Sequence, residues 1–362
     1  VNDNRFLDKG KKEIHIMSKK ELAIGVLGAG GNIGHTHSQN IATYVDGARL
    51  AAVYDLNTER AEEVAKTYGA KVMASAEELI ASPEIDAVVI ASWDGTHADL
   101  AVKCIQAGKP VFCEKPLATT LEDAKKVVEA EKASGKRLLQ IGFMRRFDPD
   151  YIKMKKILDS GELGAPLMAH CISRTRSHPK NHTTEQHITN IAIHEIDICR
   201  WLLGDEYEDV QCVKVRQSSN SNKGYDNPQV MLMRTKNGCF IDVEVQVADG
   251  YGYDIQCEVV CENGTVKLPD PYAVVRRSRP AGWDSVQPAE SMPIMTDWKE
   301  RFIEAYDIEF CKWVESVHAG KLTGPSSWDG YVACVAGDAL NASRGTSQFM
   351  KVETMEKPEM YK

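Results

Sequence analysis

The sequence has no apolar run approaching the ~18–20 residues that a bilayer-spanning helix needs. It also lacks a C-x-x-C pair, a long basic block, an internal repeat and any low-complexity stretch. No G-x-S-x-G elbow, phosphate-binding P-loop or Cys/His hydrolase signature occurs. Lys plus Arg is 44 against 52 Asp plus Glu, a net charge of −8, so neither nucleic acid nor an anionic membrane is expected as a main partner. The ten Cys are scattered from Cys104 to Cys334. They read as small core residues of a protein in a reducing cytosol rather than as a disulfide framework, and Cys257 and Cys261 are taken the same way. His170, His178, His182 and His187 fit no zinc spacing, so no metal is expected. Residues 1–17 are polar and Lys-rich, without the apolar region of a signal peptide. They read as a tag, an upstream extension or a frayed arm, with Met17-Ser18 as an alternative start.

What is present is ordinary globular composition, 43% apolar and 27% charged over 362 residues, enough for two domains. After an extension at 1–19, short apolar strands alternate with helices from Lys20 to Gly142. Strands are expected at Leu22–Leu27, Leu50–Tyr54, Lys71–Ala74, Asp86–Ala91, Val111–Cys113 and Leu138–Phe143. Helices are expected at Ile33–Val45, Thr58–Tyr68, His97–Ala107 and, capped by Thr120, to Ala133. This rhythm predicts an α/β N-terminal domain, a parallel doubly wound sheet of Rossmann type. From 143 to 362 the rhythm changes. Helices at Pro149–Leu158 and Ile188–Leu203 flank a strand at Pro166–Arg174 and a His-rich loop, Thr175–His187. Strands then follow in series, with turns at Lys236-Asn237-Gly238 and Glu262-Asn263-Gly264, before helices at Trp298–His318 and Ser327–Ala342. A second, α+β domain with a large, mostly antiparallel open sheet is predicted. Arg277–Pro293 reads as the least structured internal segment.

Gly28-Ala29-Gly30-Gly31-Asn32-Ile33-Gly34 joins the first strand to the first helix. Glycine there allows a tight turn and lets the backbone approach a pyrophosphate at the helix N-terminus. The spacing is imperfect, since G-x-G-x-x-G needs Gly at 33 and the third glycine is Gly34. Asp55 ends the second strand, where a carboxylate bonds the adenosine ribose and repels a 2′-phosphate. NAD is therefore expected as cofactor, with NADP disfavoured, although Arg60 nearby blunts the preference. Lys115 follows an apolar strand and precedes Pro116, at an end that opens into the ligand crevice of such sheets. Taken alone, a surface Lys is the commoner reading. On the helix at 188–203, Asn190, His194 and Asp197 form a polar stripe at i, i+4, i+7. His194 is a candidate general base, or else a helix-surface or satisfied core His.

Gly28-Ala29-Gly30, Asp55, Glu114-Lys115-Pro116-Leu117 and His194-Glu195-Ile196-Asp197 together resemble the glucose–fructose oxidoreductase/inositol dehydrogenase family. The segments 140–148, 250–257, 297–307 and 328–331 narrow the resemblance to its inositol 2-dehydrogenase branch. The resemblance spans the chain from Lys20 to its end and implies an NAD-dependent polyol dehydrogenase acting on scyllo- or myo-inositol. Alternatives are a related sugar or sugar-acid oxidoreductase, or a non-catalytic NAD-binding sensor. By this likeness Lys115 and His194 are catalytic, with Asn190 orienting base or substrate. Cofactor contacts are expected from Gly28, Gly30, Asn32, Ile33, Asp55, Trp93, His97, Glu114 and Lys115. Substrate contacts are expected from Met144, Arg145, Thr175, Asn190, His194, Tyr253 and Tyr306. A homotetramer through the C-terminal sheet is implied as well. Asn190 stands where the myo-inositol enzymes of the branch have Asp, which implies a weaker base at His194 or a different isomer.

Overall fold

The computed structural model describes residues 21–177, 182–221, 224–250, 252–269, 295 and 297–362. The extension at 1–17, His178 and the Arg277–Pro293 segment lie outside the described residues. In the first half, β1 (Leu22–Leu27), β2 (Ala48–Tyr54), β3 (Lys71–Val72), β4 (Ala87–Ile90), β5 (Val111–Glu114) and β6 (Leu139–Gly142) form one sheet. Its order is β3-β2-β1-β4-β5-β6, and every pairing is parallel. Helices α1 (Asn32–Thr43), α2 (Thr58–Tyr68), α3 (Ala76–Ala81), α4 (His97–Gln106) and α5 (Leu121–Ser134) connect the strands. β1, β4, β5 and β6 are buried at every position, as strands covered on both faces require.

Local chemistry explains where the helices begin. The Asn57, Ser75 and Thr120 side chains each accept a backbone N–H in the first turn of α2, α3 and α5. Six residues of α3 had no separate expectation, because a single turn and a half is too short to show a helical period.

In the second half, α6 (Pro149–Ser160) is capped by Asp148 and leads to β7 (Pro166–Arg174). The expected His-rich loop ends early. A helical turn, α7 (Thr184–Gln186), runs into a wider π-helical turn at His187–Ala192, and the α-helix α8 occupies only Ile193–Leu203. Strands β8 (Tyr207–Lys214), β9 (Gln229–Thr235), β10 (Phe240–Gln246), β11 (Asp254–Cys261), β12 (Gly264–Lys267) and β13 (Met350–Lys351) complete a sheet ordered β12-β11-β7-β10-β9-β8-β13. The β9–β10 and β11–β12 hairpins form at the expected turns. The sheet is mixed, because β7 slots between β11 and β10 and runs parallel to β10.

Two long helices, α9 (Trp298–His318) and α10 (Ser327–Ser343), return to the first sheet. Phe310 and Trp313 of α9 pack on Phe112 of β5, with ring centroids 4.5 and 5.7 Å away. Full burial of each such ring contributes roughly 1.5–3 kcal/mol. A second tie is ionic. Arg146 binds Asp197 of α8 at 2.8 Å and Asp329 of α10 at 3.0 Å, and Arg200 binds Asp329 at 2.6 Å. Asp197 is thus turned into this cluster and does not continue the polar stripe expected with Asn190 and His194. All ten cysteines are free, and the Cys171 thiol touches those of Cys199 and Cys257 at 3.5 and 3.6 Å. No helix among the described residues is long and apolar enough to cross a membrane.

Candidate functional site

In a parallel sheet the carboxyl ends of the strands open into a crevice where the strand order reverses, here between β1 and β4. The glycine turn follows β1, Asp55 follows β2, Ser92 and Asp94 follow β4, Lys115 follows β5 and Met144 follows β6. A cleft of about 520 Å³ lies there. Asn32, Ile33, Asp94, His97, Glu114, Lys115 and Met144 line it from the first half of the chain. Thr175, Asn190, His194, Tyr253, Trp298 and Tyr306 line it from the second.

The glycine turn is a cradle with no room for side chains. Gly28 has φ +85°, and a Cβ there would sit 2.5 Å from the Ser92 Cα. A Cβ on Gly34 would sit 2.0 Å from the Gly28 carbonyl oxygen. Gly34 therefore does the close helix–strand packing that the fingerprint assigns to its third glycine, one position later than the usual spacing. Gly31 caps α1 without any side-chain hydrogen bond, so the first N–H groups of that helix face the cleft uncapped. The Asp55 carboxylate accepts the Gly30 N–H at 2.8 Å and the Asn57 N–H at 2.8 Å. Arg60 reaches the Gly30 carbonyl at 3.4 Å, over the same turn. An uncapped helix N-terminus, a turn that excludes a Cβ and an acid at the next strand end fit a dinucleotide.

Lys115 stands at the centre of the cleft. Its Nζ donates to the Asn190 carbonyl and to Asn190 Oδ1, both at 3.0 Å, and the Lys115–Pro116 peptide is cis. Beneath it the Glu114 carboxylate accepts from Lys115 N at 3.1 Å and contacts His37 Nε2 at 2.7 Å. Burial holds the Lys115 pKa below its ordinary value, Arg145 adds to this, and Glu114 and Asp94 oppose it. Burial also holds His194 well below its usual range, reinforced by the Lys115 and Arg145 cations. His194 is therefore a neutral imidazole at neutral pH, and its Nδ1 has no hydrogen-bond partner.

Of the expected residues, eleven line the cleft, Gly28, Gly30 and Asp55 form the glycine turn and its acid described above, and Arg145 and Trp93 stand apart. Arg145 is 2% exposed and lies beneath the cleft, ion-paired with Glu195 of α8 and stacked over Phe302. A buried guanidinium needs a carboxylate more than it needs a substrate hydroxyl, so it supports the wall rather than lining it. Trp93 is 76% exposed, with its ring folded over Gly95, and is not among the cleft-lining residues. His97 lines the cleft, but its two ring nitrogens face the carbonyls of Pro116 and Ser92 at 2.8 and 3.0 Å. Its polar atoms thus brace the segment behind Lys115. Sequence reasoning missed Ser92, Asp94, Ile191 and Trp298. Asp94 was findable by the logic applied to Lys115, since it also follows a parallel strand.

The chain is similar to known proteins along both halves. Residues 22–143 match the model of an oxidoreductase family with an NAD-binding Rossmann fold, and residues 155–354 match that family's C-terminal alpha/beta domain. An inositol 2-dehydrogenase of Klebsiella pneumoniae is 45% identical over 343 residues, covering 94% of this chain and 99% of the relative. An inositol 2-dehydrogenase of Burkholderia vietnamiensis is 43% identical over the same length and shares. The crystal structure of myo-inositol dehydrogenase from Lactobacillus casei, in complex with NAD(H) and myo-inositol, superposes with a TM-score of 0.86. It is 34% identical and covers 94% of this chain and 100% of that one.

Proposed function

We propose, on the premise that the chain belongs to the Gfo/Idh/MocA oxidoreductase family with its NAD-binding Rossmann fold, that it oxidises one ring hydroxyl of scyllo- or myo-inositol to the ketone. The observation that carries this reading is the convergence of Lys115, Asn190 and His194 on one cleft whose opposite wall is the glycine turn. The names of the relatives support inositol as the substrate class.

Neutral His194, which lines the cleft, takes the hydroxyl proton. Lys115 donates a hydrogen bond to the same oxygen and stabilises the alkoxide charge that develops there. Asn190 holds the ammonium in place through two oxygens. When bound, the nicotinamide supplies the hydride acceptor, and Asn32 and Ile33 at the α1 N-terminus with Asp55 would hold the dinucleotide. Tyr253, Tyr306, Thr175 and Met144 bound the space left for the ring, so isomer choice resides with them and with Asn190. The outer face of the C-terminal sheet carries partly exposed Met168, His170, Asp242 and Glu244, and we assign a homotetramer contact to it.

The test is initial NADH formation from NAD at about pH 8–9 with myo-inositol, scyllo-inositol, D-chiro-inositol and glucose in turn. Turnover of an inositol well above glucose is expected. Preference for glucose, or no turnover of any of the four, would overturn the inositol reading.

A further inference from the structure

Asn190 is neutral, yet it is the group that grips Lys115. Both ends of its side-chain amide are engaged. Oδ1 accepts from Lys115 Nζ at 3.0 Å, and Nδ2 donates to Asp94 Oδ2 at 2.6 Å. An ionised carboxylate can only accept, so Asp94 decides which way the amide points. With Nδ2 turned to Asp94, the amide oxygen must face the ammonium. The opposite orientation would set two N–H donors against a cation. Asp94 comes from the end of β4 and Asn190 from the π-helical turn before α8, so the link joins the two halves of the chain across the cleft. The two residues also line an adjoining cavity of about 360 Å³, and together they form the partition between the two spaces.

We propose that Asp94 is a positioning residue: through the Asn190 amide it orients the Lys115 ammonium toward the cleft, and its carboxylate supplies there the negative charge that Asn190 lacks. The catalytic part of this assignment rests on the dehydrogenase reading above; the coupling of Asp94 to Lys115 does not. Lys115 is faced by Glu114 from β5, Asp94 from the turn after β4, Arg145 from the turn after β6 and His194 from α8. Of these, Asp94 reaches it through the amide.

The experiment compares four variants with the wild-type protein. Asp94→Asn keeps an acceptor for Nδ2 but removes the charge. Asp94→Ala removes both. Asn190→Asp sets two carboxylates within hydrogen-bond distance, which must then share a proton. The exchange variant Asp94→Asn/Asn190→Asp restores one amide and one carboxylate. Two readouts are taken, the pH profile of kcat/KM with the best inositol and the Lys115 titration midpoint by carbon-13 NMR of the lysine Cε without substrate.

Loss of the Asp94 charge is expected to lower the Lys115 midpoint and the alkaline limb together, by on the order of one pH unit in Asp94→Asn. Asp94→Ala should lower kcat more than tenfold while KM changes by less than threefold. The exchange variant should exceed Asn190→Asp at least tenfold in kcat. A wild-type Lys115 midpoint in Asp94→Asn, or an exchange variant no better than Asn190→Asp, would overturn the proposal. If no inositol is oxidised but the midpoint still falls in Asp94→Asn, the substrate reading fails and the coupling stands.

Discussion

The glycine turn invites a substitution whose effect follows from a single distance. In Gly34→Ala the new Cβ would lie 2.0 Å from the Gly28 carbonyl oxygen, 2.8 Å from its carbonyl carbon and 3.1 Å from the Ala29 Cα. All three are backbone atoms, so no side chain can swing aside. The first turn of α1 must withdraw by about 1 Å to restore even a tight contact. Overpacking of this kind costs roughly 1–3 kcal/mol, and Ala in place of helical Gly returns up to about 1 kcal/mol. The net loss of stability is therefore about 0–3 kcal/mol. NAD binding should suffer more, because the displaced turn carries the uncapped N–H groups that would meet the pyrophosphate. Losing one charge-assisted hydrogen bond costs about 1.5–3 kcal/mol, which is ten- to a hundredfold in Kd. Gly337→Ala in α10 is the control, since its Cβ would meet the nearest atoms at 3.6 and 3.8 Å, ordinary contacts far from the turn. It should gain up to about 1 kcal/mol and bind NAD normally. Calorimetric titration with NAD and thermal melting measure both effects. Gly34→Ala binding NAD within twofold of wild type would refute the assignment of Gly34 to the fingerprint.

Two further outcomes follow from the cleft. In the proposed reaction His194 must be neutral and Lys115 charged, and both pKa values are depressed. The acid limb of kcat/KM should then fall below 6.5, the ordinary His value, and the alkaline limb below 10.5, the ordinary Lys value. An acid limb above 6.5 would show that His194 is not the titrating base. Arg145→Ala should cost about 3–5 kcal/mol in urea unfolding, because it leaves Glu195 buried without its cation. Arg145→Met/Glu195→Met should recover most of that loss, and a single-variant loss under about 1 kcal/mol would argue against a supporting ion pair.

The strand and helix rhythm was legible because buried parallel strands are short apolar runs and their connections carry local signals. Thr120 and the turns at 236–238 and 262–264 act on their immediate neighbours, and they formed where they were expected. The π-helical turn at His187–Ala192 was not legible. It keeps the side chains of a helix and changes only the hydrogen-bond spacing, so apolar periodicity reads it as more of α8. The position of Arg145 was hidden for a different reason. A family motif marks where a residue leaves its strand, not whether a buried partner such as Glu195 claims its side chain.

By itself, then, the order of residues determined the two sheets, the glycine turn with its acid and the strand end from which Lys115 emerges. These depend on local periodicity, capping and backbone freedom, all of which act within a few residues. Only the tertiary structure decided that α9 closes over β5, that β7 lies between β11 and β10, and that Asp94 meets Asn190 across 96 positions of chain. Contacts between distant segments follow from which surfaces are left to bury once local structure has formed. No spacing in the sequence records that choice.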